Sequence, residues 1–128
     1  MENDKLNRLG AIILDCAITV HKFLGPGLLE SAYQIALKRE LELRGLKVRS
    51  HVPIELIYRE MPLGKVYEID LLVEEEIIIE NKSCESITPI FLAQVLTYLK
   101  IKDKRLGYLI NFNVLLLKDG FKRIVHQF

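Results

Sequence analysis

The chain has 128 residues, 50% hydrophobic and 27% charged, with 18 Lys and Arg against 17 Asp and Glu for a net charge of +1. That length suits one compact domain, 1–128, which buries about two thirds of the surface its unfolded chain exposes and needs no staples. The 7 Gly and 4 Pro argue against disordered, collagen-like or low-complexity chains. The near-zero net charge gives no global pull toward nucleic acid or membrane, although it would hide a local basic groove.

Leu6, Leu9, Ile13, Cys16, Ala17, Val20 and Leu24 recur at spacings of three and four, which predicts an amphipathic helix. Gly25-Pro26-Gly27 ends it, and a second helix is expected from about Leu28 to Leu43, with Gly45 as its stop. The period then changes to two: Val48, Ser50, Val52, Ile54, Leu56 and Tyr58 alternate with polar residues, and Pro53 suggests an edge strand. A turn from Glu60 to Gly64 should lead to a second strand over Lys65–Val73, and Glu74 to Glu76 form a loop before a third over Ile77–Lys82. Thr88-Pro89 reads as an N-cap and first helical position for a helix to about Ile101. Closing strands are expected at Arg105–Asn111 and Phe121–His126, with Val114–Leu117 a further piece between them. The order ααβββαβ(β) predicts an α/β fold with a mixed central sheet flanked by helices.

The two cysteines, Cys16 and Cys84, have no metal-ligand or disulfide spacing, and the N-terminus lacks a signal-peptide pattern. Leu9–Val20 is too short to span a bilayer. These features predict a cytoplasmic protein without membrane association. His21, His51 and His126 have no zinc-site spacing, and Gly25-Pro26-Gly27 lacks the preceding strand of a phosphate loop.

The third strand carries the main chemical signal. Glu80 and Lys82 share a face with Ile78, while Ile77 and Ile79 share the other, so a largely buried strand bears ionic groups at one end. A three-residue loop would set Asp70 opposite Glu80, close enough for two carboxylates to share a metal ion; a two-residue loop would put them on opposite faces. The structural alternative is a Glu80–Lys82 pair or a strand end emerging into solvent. Glu30 in the first helical turn has its own structural explanation as a partner of the helix dipole, and Tyr33 one as a core aromatic. Gln94 and Tyr98 stand four apart on one helix face. The cluster Lys100, Lys102, Lys104 and Arg105 is either a solvated helix end or a phosphate track.

Taken together, these residues resemble the GxxExxY proteins of the PD-(D/E)XK nuclease-like superfamily. Gly27-Leu28-Leu29-Glu30-Ser31-Ala32-Tyr33 matches the G-x-x-E-x-x-Y signature, and Ile69-Asp70, Glu80-Asn81-Lys82, Gln94 to Tyr98 and Gly107 to Phe112 follow in order. The resemblance implies a restriction-endonuclease-like core with a divalent-metal site. Asp70, Glu80 and Lys82 would be catalytic, with Glu30, Asp70, Glu80 and the Asn81 carbonyl as metal ligands. Tyr33, Gln94 and Tyr98 would support the site or contact substrate. Asn81 replaces a more usual apolar residue and His51 stands where glutamine is expected. The implied activity is Mg²⁺- or Mn²⁺-dependent hydrolysis of DNA, with RNA the second choice, and with a metal-activated water as nucleophile. The alternative is a catalytically silent nucleic-acid- or protein-binding module on the same fold. A homodimer or a partner subunit could also complete the site.

Overall fold

The computed structural model describes residues 1–128, apart from the side chains of Lys65 and Val66. The elements are α1 (Asn3–Leu24), α2 (Glu30–Leu43), β1 (Val48–Tyr58), β2 (Met61–Val73), β3 (Ile77–Lys82), α3 (Pro89–Lys102), β4 (Leu106–Asn111), a 3₁₀ turn (Leu117–Gly120) and β5 (Phe121–Val125). The strands form one five-stranded sheet in the order β1-β2-β3-β4-β5. Its pairs are antiparallel except β3–β4, a parallel pair that α3 connects. This is the expected mixed sheet flanked by helices.

Period-two alternation divides the core. Ile77 and Ile79 of β3 join Leu6, Ile13, Tyr33, Leu37 and Leu41 of the first two helices, whereas Ile78 joins Tyr98 and Leu99 of α3 on the other face. Gly10 lets α1 approach the sheet, because a Cβ there would collide with the Tyr108 hydroxyl. No helix among the described residues is long and apolar enough to cross a membrane.

Three details differ from the sequence expectations. The β1–β2 turn is Arg59-Glu60, and β2 already starts at Met61; both turn residues are left-handed, with φ 47° and 68°, as two-residue hairpin turns require. Val114–Leu117 forms no strand but leads into the 3₁₀ turn, with the Val114 carbonyl 2.7 Å from His21 Nε2. Nor does β1 keep one face throughout. Val48 packs on the α1–α2 side, while Val52 and Ile54 pack on the α3 side, across His51 at φ 55°. On β2 the same change falls between Leu71 and Ile69, placing Asp70 at the crossing.

The crossing lies at a fork. β2 pairs with β3 only through Leu71↔Ile79, Leu72↔Ile78 and Val73↔Ile77; beyond these, β2 continues along β1 while β3 continues along β4. The opening between the departing strands holds the ionic residues.

Candidate active site

The pairing Leu71↔Ile79 leaves Asp70 and Glu80 as the next facing pair, the arrangement that a three-residue Glu74–Glu76 loop produces. Here the ladder gives way to side chains. The Asp70 N–H donates to Glu80 Oε2 at 2.8 Å, and the Asn81 N–H donates to Asp70 Oδ2 at 2.8 Å. Each carboxylate thus satisfies a backbone donor that the parting strands would leave unpaired.

Glu80 is 4% exposed, and Asp70 is partly buried. Burial first, and then the neighbouring Asp70 charge, push the Glu80 carboxyl up to about 9. Burial also raises Asp70, against the lowering effects of the Asn81 N–H and the Lys82 charge. Two carboxylates in one buried fork repel each other until a proton or a cation lies between them.

Lys82 makes no ion pair with Glu80: its Nζ sits 4.7 Å from the Phe91 ring centroid, a cation–π contact within range of Glu30, Asp70 and Glu80. Its carbonyl accepts from Phe112 N–H, so strand alternation turns the backbone groups of Asn81 toward β2 and the carboxylates. The Asn81 side chain is fully buried, and neither its Oδ1 nor its Nδ2 has a hydrogen-bond partner.

Glu30 reaches the same centre from α2. It is the first residue of that helix, next to Leu29 at the N-cap, where no side chain caps the helix. Glu30 is exposed to solvent, and only partial desolvation raises its carboxyl; the Lys82 charge lowers it and the Asp70 charge raises it. The preceding turn is built to deliver it. Gly27 has φ 92°, a left-handed value that favours glycine, and the Tyr33 hydroxyl donates to Gly25 O at 2.5 Å while accepting from Leu28 N–H at 3.1 Å. Ser83 Oγ, one residue past Lys82, donates to Leu28 O at 2.5 Å and ties the turn to the end of β3. Tyr33 itself is fully buried, its ring stacked on Phe112 with centroids 4.6 Å apart. It supports the turn from the core and does not reach the carboxylates.

Thr88 Oγ1 accepts the Phe91 N–H and Pro89 follows, so α3 starts as the sequence predicts. The helix presents Tyr98 to the fork: burial, then Glu80 and Asp70, push its phenol up to about 12. Gln94 and Tyr98 line a cavity of about 210 Å³ together with Leu56, Tyr67 and Thr97.

Besides Ser83 and Phe91, two more contributors lay outside the sequence-predicted set. Gln34, one helical turn after Glu30, donates to the Asp70 carbonyl at 3.4 Å and lies 3.3 Å from His51 Nε2, whose Nδ1 is 3.2 Å from Glu68. Its i+4 spacing from Glu30 was the available signal. Asn111 holds the loop after Lys82: its Oδ1 accepts the Cys84 and Asn113 N–H groups, and its Nδ2 donates to Cys84 O at 3.0 Å. The Cys84 thiol only donates to Ser86 O. The basic cluster lies elsewhere, with Lys102 and Lys104 near Glu75 in the hairpin at the opposite end of β3.

Among the described residues, no three His, Cys, Asp or Glu side chains form a ready ligand group for a metal ion. The oxygen donors nevertheless fit a hard divalent cation. Such ions often take one or two protein carboxylates and complete their shell with water and phosphate oxygens, and Asp70 and Glu80 form a pair whose mutual repulsion a cation relieves.

No curated protein and no solved structure matches the chain. The profile described as the PD-(D/E)XK nuclease superfamily matches residues 7–124, across every element that builds the fork. With nearly its whole length matched, the chain belongs to the PD-(D/E)XK nuclease superfamily.

Proposed function

We propose that the protein is a Mg²⁺- or Mn²⁺-dependent nuclease that hydrolyses phosphodiester bonds of DNA, with RNA the alternative substrate. The superfamily supports the reaction class, since its nucleases generally use divalent metals. The observation that carries the reading is the buried Asp70–Glu80 pair with the Lys82 ammonium beside it. A structural ion pair would bring Lys82 onto Glu80, whereas here Glu80 has no direct cation partner.

Asp70 and Glu80 would hold the ion, with the Asn81 carbonyl and Glu30 completing the protein side of the site. When bound, the ion lowers the pKa of a coordinated water and offsets charge on the phosphate. Lys82, a compact charge beside the pair, would orient the attacking water and stabilise negative charge developing on phosphate oxygens. The turn held by Tyr33 and Ser83 positions Glu30, and Gln34 fixes the backbone of Asp70.

Incubating labelled DNA and RNA with Mg²⁺ or Mn²⁺ tests this directly. Cleavage by wild type that Asp70→Ala, Glu80→Ala and Lys82→Ala each abolish supports the reading. Cleavage that survives all three contradicts it. Binding of nucleic acid without any cleavage would favour a silent binding module.

A further inference from the structure

The β1–β2 hairpin runs past the rest of the sheet. Only Leu71, Leu72 and Val73 of β2 pair with β3, and the covered part of the ribbon ends at Leu56 and Tyr67, which pack on the core cluster that holds Tyr98 and Leu99. Beyond them, residues 57–64 are all exposed. Ile57 is 65%, Tyr58 60%, Met61 59% and Leu63 48% exposed. Tyr58 pairs with Met61 and Ile57 with Pro62, and neighbours along a strand point to opposite faces, so the ribbon end is apolar on both sides. A two-stranded ribbon open on both faces is marginal in water, and a contiguous apolar patch of several hundred Å² marks a contact surface.

Area and charge say what covers it. At these exposures the four side chains offer roughly 500 Å² per copy, and Arg59, Glu60 and Pro62 bring the tip near the ~800 Å² that each partner gives a standard interface. Phosphate is not attracted: with Lys65 counted, residues 55–68 hold three acids, Glu55, Glu60 and Glu68, against two bases. The tip complements itself instead. Arg59 and Glu60 hold both central positions of the turn, in left-handed conformations that Asn and Gly suit better, and neither is in an ion pair among the described residues. The Arg59 guanidinium lies 5.9 Å from the Tyr58 ring centroid, above the apolar side chains. A two-fold axis at the tip can set Arg59 of each copy against Glu60 of the other.

We infer that the ribbon end is a homodimer interface, in which Ile57, Tyr58, Met61 and Leu63 of two copies pack together and Arg59 and Glu60 form two reciprocal ion pairs. The inference is independent of the nuclease reading, since it needs neither metal nor substrate. Met61 lies nine residues, up to about 30 Å, along β2 from Asp70, so the contact leaves each carboxylate pair outside the interface.

Sedimentation velocity up to about 100 µM tests this, because interfaces of standard size reach micromolar affinity or better. Wild type should be a dimer at that concentration. Met61→Lys, at an exposed position, should be a monomer with an unchanged circular dichroism spectrum. Arg59→Glu and Glu60→Arg should each weaken the dimer at least about tenfold, since each sets like charges opposite one another twice. Mixed in equal amounts, those two variants should form a heterodimer about as tight as wild type, because the exchanged charges attract again. A wild type that stays monomeric overturns the interface, whether a nucleic-acid strand, another protein or nothing then binds the ribbon. A dimer that survives in folded Met61→Lys overturns it too, as does a mixture that dimerises no better than Arg59→Glu or Glu60→Arg alone.

Discussion

Asp70 and Glu80 hold each other's strands apart and together: the N–H of Asp70 donates to the Glu80 carboxylate, and the Asp70 carboxylate accepts the N–H of the residue after Glu80. The two groups that would bind a metal ion are therefore also the closing hydrogen bonds of the β2–β3 ladder. Stability and any metal binding there would be coupled through the same oxygens.

That coupling sets a pH dependence. The folded state raises Glu80 to about 9, well above its ordinary 4.5, and raises Asp70 in the same direction. Between these values the folded chain binds more protons than the unfolded one. Metal-free stability is then greatest below the ordinary carboxylate range and falls as pH rises through the folded value. Thermal unfolding in EDTA from pH 5 to 9 should show a falling Tm that Glu80→Gln flattens. An unchanged slope in that variant would mean that Glu80 is not the proton carrier.

Metal binding should release that proton. Calorimetry at pH 7 in two buffers of different ionisation enthalpy should show about one proton released per ion, the buried carboxyl giving up its proton as the cation enters. Identical heats in the two buffers would show that Glu80 is already ionised.

Lys82→Ala should separate binding from chemistry. Its ammonium rests over Phe91 and is not a metal donor, so the Kd for Mn²⁺ should change less than about threefold while the cleavage rate falls about 100-fold or more. Single-turnover cleavage compared with a metal titration gives both numbers, and an unchanged rate would remove Lys82 from the mechanism.

The turn before Glu30 should be as sensitive as the site. Tyr33→Phe removes a hydroxyl that bonds Gly25 O and Leu28 N–H inside the core, and should lower stability by about 1–2 kcal/mol in urea unfolding. It should also slow cleavage by displacing Glu30, although Tyr33 touches no carboxylate. A destabilised variant with full activity would show that the turn does not position Glu30.

Much of this architecture was legible in the sequence because burial leaves a periodic trace. Three isoleucines followed by Glu80 and Lys82 marked β3, and Thr88-Pro89 marked the start of α3. The register of Asp70 against Glu80 was open between two loops, since Glu74 and Glu75 give no turn signal; the structure puts both in left-handed conformations, at φ 53° and 58°. The same holds for Arg59-Glu60 and His51, where the fold imposes a backbone that residue type does not announce. The part played by Tyr33 was hidden for another reason: a buried tyrosine looks the same in sequence whether or not its hydroxyl has partners.

The most direct measurement is calorimetric titration of Mg²⁺ and Mn²⁺ into wild type, Asp70→Ala and Glu80→Ala, with folding of each variant checked by circular dichroism. Saturable binding to wild type that disappears in both folded variants is the predicted result. Binding that persists in either variant, or none in wild type even with a nucleic-acid strand present, would contradict a metal centre at the fork.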